Sequence, residues 1–201
     1  MKLYFSPGAC SLSPHIVLCE LELPHELVKV DLATHTTADG KDFNTINPKG
    51  YVPALLIDGG QLLTEGPAIV QYLADQNPGK CLLPPAGSLE RVRVQEWLTF
   101  IGTELHKNFS PLFNPAASAD WKAAARANIE RRFSFAEKAL TGQDYLTGSD
   151  FSVADAYLFT VVNWTRFLQI DLAPWPALVA FHRRVLNRPA VQEALRTEGL
   201  L

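Results

Sequence analysis

The sequence predicts an α/β N-terminal domain (residues 1–80), a linker (81–87) and an all-α C-terminal domain (88–201). Three features carry this prediction. Up to residue 80, short apolar runs of strand-like composition alternate with helical periodicity. The stretch "NPGKCLLPPAG" (77–87), with Pro78, Pro84 and Pro85 beside Gly79 and Gly87, interrupts any helix. Beyond it, apolar residues recur at helical spacing and the strand pattern disappears. With 201 residues, 47% of them hydrophobic, the chain can bury one large core or two modest ones.

Each element follows from its own residues. "KLYF" (2–5) is a short strand, and Leu12, Ile16, Cys19 and Leu23 lie at helical spacing, predicting a helix over 11–23. "ELVKVDL" (26–32) is a second strand, followed by a polar stretch. "PALLI" (53–57) and "QLL" (61–63) flank a turn at Asp58, Gly59 and Gly60 and predict an antiparallel hairpin. "TEGPAIVQYLADQ" (64–76) reads as a helix with Thr64 as N-cap, Pro67 in the first turn and Ile69, Val70 and Leu73 on one face. The order is therefore β-α-β, then β-β-α. Helices are predicted over 88–107, 120–141, 152–168, 175–187 and 189–196. "SVAD" (152–155) has the form of a capping box ahead of "AYLFTVV", which assigns Asp155 to holding a helix start rather than to catalysis.

Composition excludes several functions. A formal charge of -3 without a Lys/Arg cluster offers no footprint for nucleic acid or for an anionic membrane, so the expected partner is small. Three cysteines, Cys10, Cys19 and Cys81, without C-x-x-C spacing indicate neither a disulfide framework nor a zinc site, and no metal is expected. Free thiols suit a reducing cytoplasm. No secretory leader is expected, and "AYLFTVV" is too short to span a bilayer.

Five stretches, in this order and spacing, carry a resemblance: "KLYFSPGACSLSPHI" (2–16), "NPKGYVPALL" (47–56), "LTEGPAIVQYLAD" (63–75), "TELHKNFSPLF" (103–113) and "SVADAYLF" (152–159). Together they resemble the bacterial beta-class glutathione S-transferases over essentially the whole chain. The resemblance implies a thioredoxin-like N-terminal domain, an all-α C-terminal domain, a homodimer, and glutathione as cosubstrate with no other cofactor. It also implies a detoxifying transferase that conjugates reduced glutathione to small hydrophobic electrophiles.

The residues suit that chemistry. Cys10 stands where a strand gives way to a helix, and a helix N-terminus stabilises a thiolate through its open N–H groups and dipole. Pro7 and Gly8 shape the preceding turn, while Ser11 and Ser13 offer hydroxyls. Position 13 is Ser, so a C-x-x-C dithiol cycle is excluded and a single Cys10 needs an external resolving thiol. The family implies a mixed disulfide between this cysteine and glutathione. Cys19, on the apolar stripe, reads as inert core and Cys81 as an incidental thiol.

Pro53 opens a strand, where it donates nothing to the ladder. The resemblance makes the Val52–Pro53 bond cis, presenting the Val52 main chain to glutathione's cysteinyl backbone as an added strand would be. At "TEGPAI", Gly66 lets a carboxylate approach the helix N-terminus and Glu65 can meet an ammonium, although a Glu in a first turn also satisfies the dipole unaided. The family gives His106 a place near the glutathione sulfur and puts Thr99, Thr103, Glu104 and Leu105 beside the tripeptide, some across a dimer interface. Relatives often carry Asn at position 99. His35 stands where relatives commonly present Lys, and a histidine carries little charge at neutral pH, so glutathione binding is expected to be weaker and to improve toward acid pH. Phe109, Phe113 and Trp164 are candidates for an apolar wall facing the electrophile, and equally for core packing.

Other readings remain open: a monothiol glutathione-dependent disulfide reductase or peroxidase, or a non-catalytic ligand-binding protein of the same fold. A Cys-His hydrolase built on Cys10 and His106 lacks a third orienting group.

Overall fold

A computed structural model describes residues 1–201. β1 (Lys2–Phe5) buries Leu3, Tyr4 and Phe5, which requires cover on both of its faces, and it is the middle strand of a five-stranded sheet. With β2 (Glu26–Asp31), β3 (Thr36–Thr37), β4 (Ala54–Leu56) and β5 (Leu62–Thr64), the order is β3-β2-β1-β4-β5. β1 and β2 are parallel, Lys2 opposite Glu26, and are joined by α1 (Leu12–Glu20) as a crossover helix. The other pairs are antiparallel, with Leu3 opposite Leu55 and Leu55 opposite Leu63, so the predicted hairpin is present. Tyr4, Val30, Phe43, Val52 and Ala54 form one core cluster of the sheet, and α2 (Gly66–Gln76) packs on α1.

Local chemistry moves some boundaries. α1 ends earlier than its apolar spacing predicts: the Leu23 N–H reaches the Leu18 carbonyl, the Glu22 N–H reaches that of Cys19, and Glu22 turns left-handed at φ 54°. This is a Schellman stop. Thr64 does not cap α2; it ends β5, and Glu65 takes the cap position at φ 68° with no side-chain cap bond. The polar stretch after β2 contains the short β3, which periodicity does not reveal.

The chain divides into two compact units, Met1–Cys81 with Asn187–Leu201, and Leu82–Leu186. The second unit is helical. The helix predicted over 88–107 runs on to 113 as α3 (Leu89–Phe100), a π-helical turn (Ile101–His106) and α4 (Lys107–Phe113). α5 (Ala119–Leu140) packs on α4, and α6 (Val153–Asn163) is buried along its whole length, as a helix apolar on all sides must be. The chain breaks at Trp164, so the helix predicted over 152–168 is α6 followed by α7 (Thr165–Leu168). α8 (Pro176–Leu186) closes the unit. At the α6 start, the buried Asp155 carboxylate accepts from the Ser152 N–H (2.8 Å), the Ser152 hydroxyl (2.7 Å) and the Leu146 N–H (2.9 Å).

The last helix, α9 (Pro189–Thr197), belongs with the first unit, whereas the sequence places 88–201 together. Its buried Val191, Ala194 and Leu195 give it an apolar face, and it packs on α1. Arg188 clamps Glu20 at the end of α1 through two bonds of 2.6 and 2.9 Å. Periodicity identifies such a helix but not the surface that covers it. No helix of the chain is long and apolar enough to cross a membrane.

Candidate functional site

Cys10 occupies a tight loop between β1 and α1. Gly8 adopts φ 72°, a conformation that favours glycine, and the Ala9 N–H closes a turn onto the Ser6 carbonyl at 3.0 Å. Ser11 is fully buried. Its hydroxyl donates to the Ser6 carbonyl and accepts from the Ser6 N–H, both at 3.2 Å, so this side chain shapes the loop. The Cys10 thiol is partly buried and donates to the Val52 carbonyl at 3.2 Å, a bond that only the protonated sulfur can make. The Val52–Pro53 peptide bond is cis, and a Cβ built on Gly66 would lie 3.7 Å from Pro53. Cys10, Val52, Pro53 and the α2 N-terminus are thereby gathered at one end of the sheet.

A brace far away in sequence holds this loop. The buried Glu198 carboxylate accepts from the Gly8 N–H at 2.8 Å and bonds His15 Nδ1 at 2.8 Å. Glu198 follows α9, and no local pattern in the sequence connects it to position 8. Glu198→Ala leaves a buried N–H and a buried imidazole unpaired, so it is expected to lower stability by about 2–4 kcal/mol in urea unfolding. Exposed Glu193→Ala should change it little.

Glu65 does not stand alone at the α2 N-terminus. Its carboxylate accepts from Lys49 Nζ (2.6 Å) and the Tyr51 hydroxyl (2.8 Å), and Lys49 also reaches Thr64 Oγ1 (3.0 Å). The Glu65 bond raises the pKa of both Lys49 and Tyr51. Sequence reasoning missed both partners, although "NPKGY" displays them. His35, at φ 53°, packs against the same loop: a Cβ on Gly50 would come within 3.2 Å of its Cε1. Its Nδ1 is buried without a hydrogen-bond partner.

In the helical unit, Thr103, Glu104, Leu105 and His106 all fall in the π-helical turn, and such turns recur at functional sites. His106 Nδ1 bonds the Tyr157 hydroxyl at 2.7 Å and its ring stands edge-on to Trp164, centroids 4.8 Å apart. Tyr157, on α6, was not singled out by sequence. Trp164 also meets Phe109 at 5.4 Å and Phe113 at 5.9 Å. The candidate wall is therefore one aromatic cluster, but Phe109 and Trp164 are core residues and Phe113 alone of the three is exposed. Leu105 is fully buried, so its side chain serves packing. Thr99 and Thr103 are exposed and return their hydroxyls to the helix, at 2.8 Å to the Gln95 carbonyl and 3.0 Å to the Thr99 carbonyl. Glu104 pairs with Arg132.

Comparison with known proteins gives this arrangement a family. Residues 8–76 match the family described as Glutathione S-transferase, N-terminal domain, and residues 100–189 match Glutathione S-transferase, C-terminal domain. Glutathione S-transferase GstA of Escherichia coli O157:H7 is 46% identical over 200 residues, covering 100% of both chains. A solved structure described as a ternary complex of BphK, a bacterial GST, is 58% identical with a TM-score of 0.98 and covers 100% of each chain. A sphingomonad glutathione S-transferase complexed with glutathione is 50% identical with a TM-score of 0.96, again over 100% of each chain. From the cysteine loop to the aromatic cluster of the helical unit, this chain belongs to the glutathione S-transferase family and closely matches its bacterial beta-class members.

Proposed function

We propose that the protein binds glutathione on the sheet unit and conjugates it through its sulfur to small hydrophobic electrophiles, with Cys10 also supporting thiol-disulfide exchange. The observation that carries this is the Cys10 thiol 3.2 Å from the Val52 carbonyl, beside the cis Val52–Pro53 bond and the α2 N-terminus. The Val52 main chain then receives the cysteinyl backbone as an added strand. At the α2 N-terminus, the Lys49–Glu65 pair matches the two charges of a γ-glutamyl end: the carboxylate goes to Lys49 and the Gly66 N–H, the ammonium to Glu65. His106, fixed through Nδ1 by Tyr157, takes the role of polarising the glutathione thiol. Thiolate sulfur attacks the electrophilic carbon, the leaving group departs with its electron pair, and the thiol proton passes to solvent. Positioning and thiolate stabilisation supply the acceleration.

A homodimer fits the helical unit. α3 exposes Leu89 and Val92, α5 exposes Phe135, and Trp97, Phe100 and Phe135 meet edge-on or tilted in one aromatic group. Thr99 and Thr103 line the groove beside it with Val92 and Phe100, which suits their assignment to glutathione reached from a second copy. Three free cysteines suit a cytoplasmic setting.

Turnover of a chloronitroaromatic with glutathione, against reduction of a glutathione mixed disulfide, tests the two chemistries; retention on immobilised glutathione without either would favour a binding protein. His35 supplies a separate test. Glutathione affinity is measured by calorimetry, apart from turnover. His35→Lys should bind about tenfold more tightly at neutral pH. An affinity that His35→Ala leaves intact would remove His35 from the site.

A further inference from the structure

A second cluster of reactive side chains lies elsewhere on the sheet unit. His15 and Cys19 are four residues apart on α1, which puts them one turn apart on the same face. The Schellman stop after α1 folds the chain back through Glu22 and Leu23, and this reversal returns His25 to that face. A ring nitrogen of His15, the Cys19 sulfur and a ring nitrogen of His25 lie within 4.8 Å of one another. The two rings meet edge-on, centroids 5.6 Å apart.

We propose that His15, Cys19 and His25 form a binding site for a borderline divalent transition-metal cation of the zinc class, separate from the glutathione-binding loop. Two imidazoles and a thiolate are a donor set that such cations favour. Both rings are held by a hydrogen bond at Nδ1. His15 Nδ1 is held by the Glu198 carboxylate at 2.8 Å, and His25 Nδ1 by the Leu23 carbonyl at 2.7 Å. An Nδ1–H donated to each oxygen fixes the tautomer that carries its lone pair on Nε2, the outer-sphere pattern typical of metal-binding histidines. Tetrahedral bonds of about 2.0–2.3 Å set donor atoms about 3.3–3.7 Å apart, so the cluster has to contract by roughly an ångström.

The surrounding charge has the right sign. The Glu198 carboxylate bonds His15 and Glu20 follows Cys19 in the chain, so carboxylates border the cluster and attract a cation, and a coordinating cation displaces the thiol proton to solvent. Among the charged groups here, Arg188 is committed to Glu20. His15 is buried, while Cys19 and His25 are half-buried and accessible to an ion from one side. The spacing is His-x3-Cys-x5-His, which a search for paired cysteines passes over.

Cobalt(II) titration of the full chain carrying Cys10→Ser and Cys81→Ser, with Cys19 as the one remaining thiol, tests the site. The expected result is one cobalt per chain, a thiolate-to-cobalt charge-transfer band, and visible bands of tetrahedral intensity that added zinc displaces. Adding Cys19→Ser should abolish the charge-transfer band, and adding His25→Ala should weaken binding at least tenfold. Circular dichroism of each variant separates loss of the site from loss of the fold; His25→Ala, outside any helix or strand, is the readout if Cys19→Ser perturbs α1. Absence of a charge-transfer band at millimolar cobalt, or a band that a folded His25→Ala variant binds with unchanged affinity, overturns the proposal.

Discussion

Cys10→Ala is expected to cut glutathione-dependent disulfide reduction by ~10³-fold or more, the scale of losing a nucleophile that acts with its surroundings as a unit. The proposed exchange balances in two steps. The Cys10 thiolate attacks the glutathione sulfur of a mixed disulfide, releasing the other thiolate and leaving Cys10 joined to glutathione. A second glutathione thiolate then attacks that bond, releasing glutathione disulfide and restoring Cys10. Ser13 cannot resolve the intermediate, so the external thiol is required. Conjugation makes a different demand, because the attacking sulfur belongs to glutathione. Cys10→Ser keeps a donor within reach of the Val52 carbonyl and of an approaching thiolate, so conjugation is expected to stay within about tenfold of the parent while exchange is lost. Parallel rates on a chloronitroaromatic and on a mixed disulfide separate the two. An undiminished exchange rate in Cys10→Ala would sink the nucleophilic role.

Asp155→Ala is expected to destabilise the protein by about 3 kcal/mol or more, since it orphans the Leu146 and Ser152 N–H groups in the interior and removes a helix cap. In a chain of this size that corresponds to a fall of about 6–12 °C in the thermal midpoint. Activity at low temperature should survive, because Asp155 is fully buried and holds α6 rather than substrate. The carboxyl also makes stability pH-dependent. Burial pushes its pKa up to about 6, against the opposing pull of the Leu146 and Ser152 hydrogen bonds. The folded state therefore holds the proton more tightly than the unfolded chain does, whose carboxyl titrates near about 4. This contribution is fully present below about pH 4 and is lost as pH rises through about 6. Asp155→Asn cannot titrate, so its urea midpoint should lack that decline; an identical slope in both proteins would refute the assignment.

Much of the site was legible because its residues are close in sequence to the structure they create. Cys10 follows a turn that needs Gly8, and Ser13 at the C-x-x-C position excludes a second thiol there. "SVAD" announces a helix start because a capping box closes within four residues. The failures have one physical kind: they depend on who lies opposite. The sequence gives Glu65 a ligand's ammonium or the helix dipole as its partner, but Lys49 and Tyr51 cover it, and the hairpin between them sets their approach. Leu105 and Phe109 are both fully buried: for Phe109 this is the core packing its apolar character equally allowed, while Leu105 falls in a π-helical turn that has no periodic signature.

By itself the sequence determined the division into an α/β and a helical segment, the break after α2, the lack of a C-x-x-C pair and the family to which these words belong. Local interactions decide those properties, since caps, turns and apolar periods act over a few residues. Only the tertiary structure decided that α9 returns to the sheet unit and that Glu198 braces the cysteine loop from 190 residues away. It also decided that His25 folds back beside His15 and Cys19. Such pairings are selected by shape and charge between surfaces that meet only after folding, and no spacing along the chain encodes them directly.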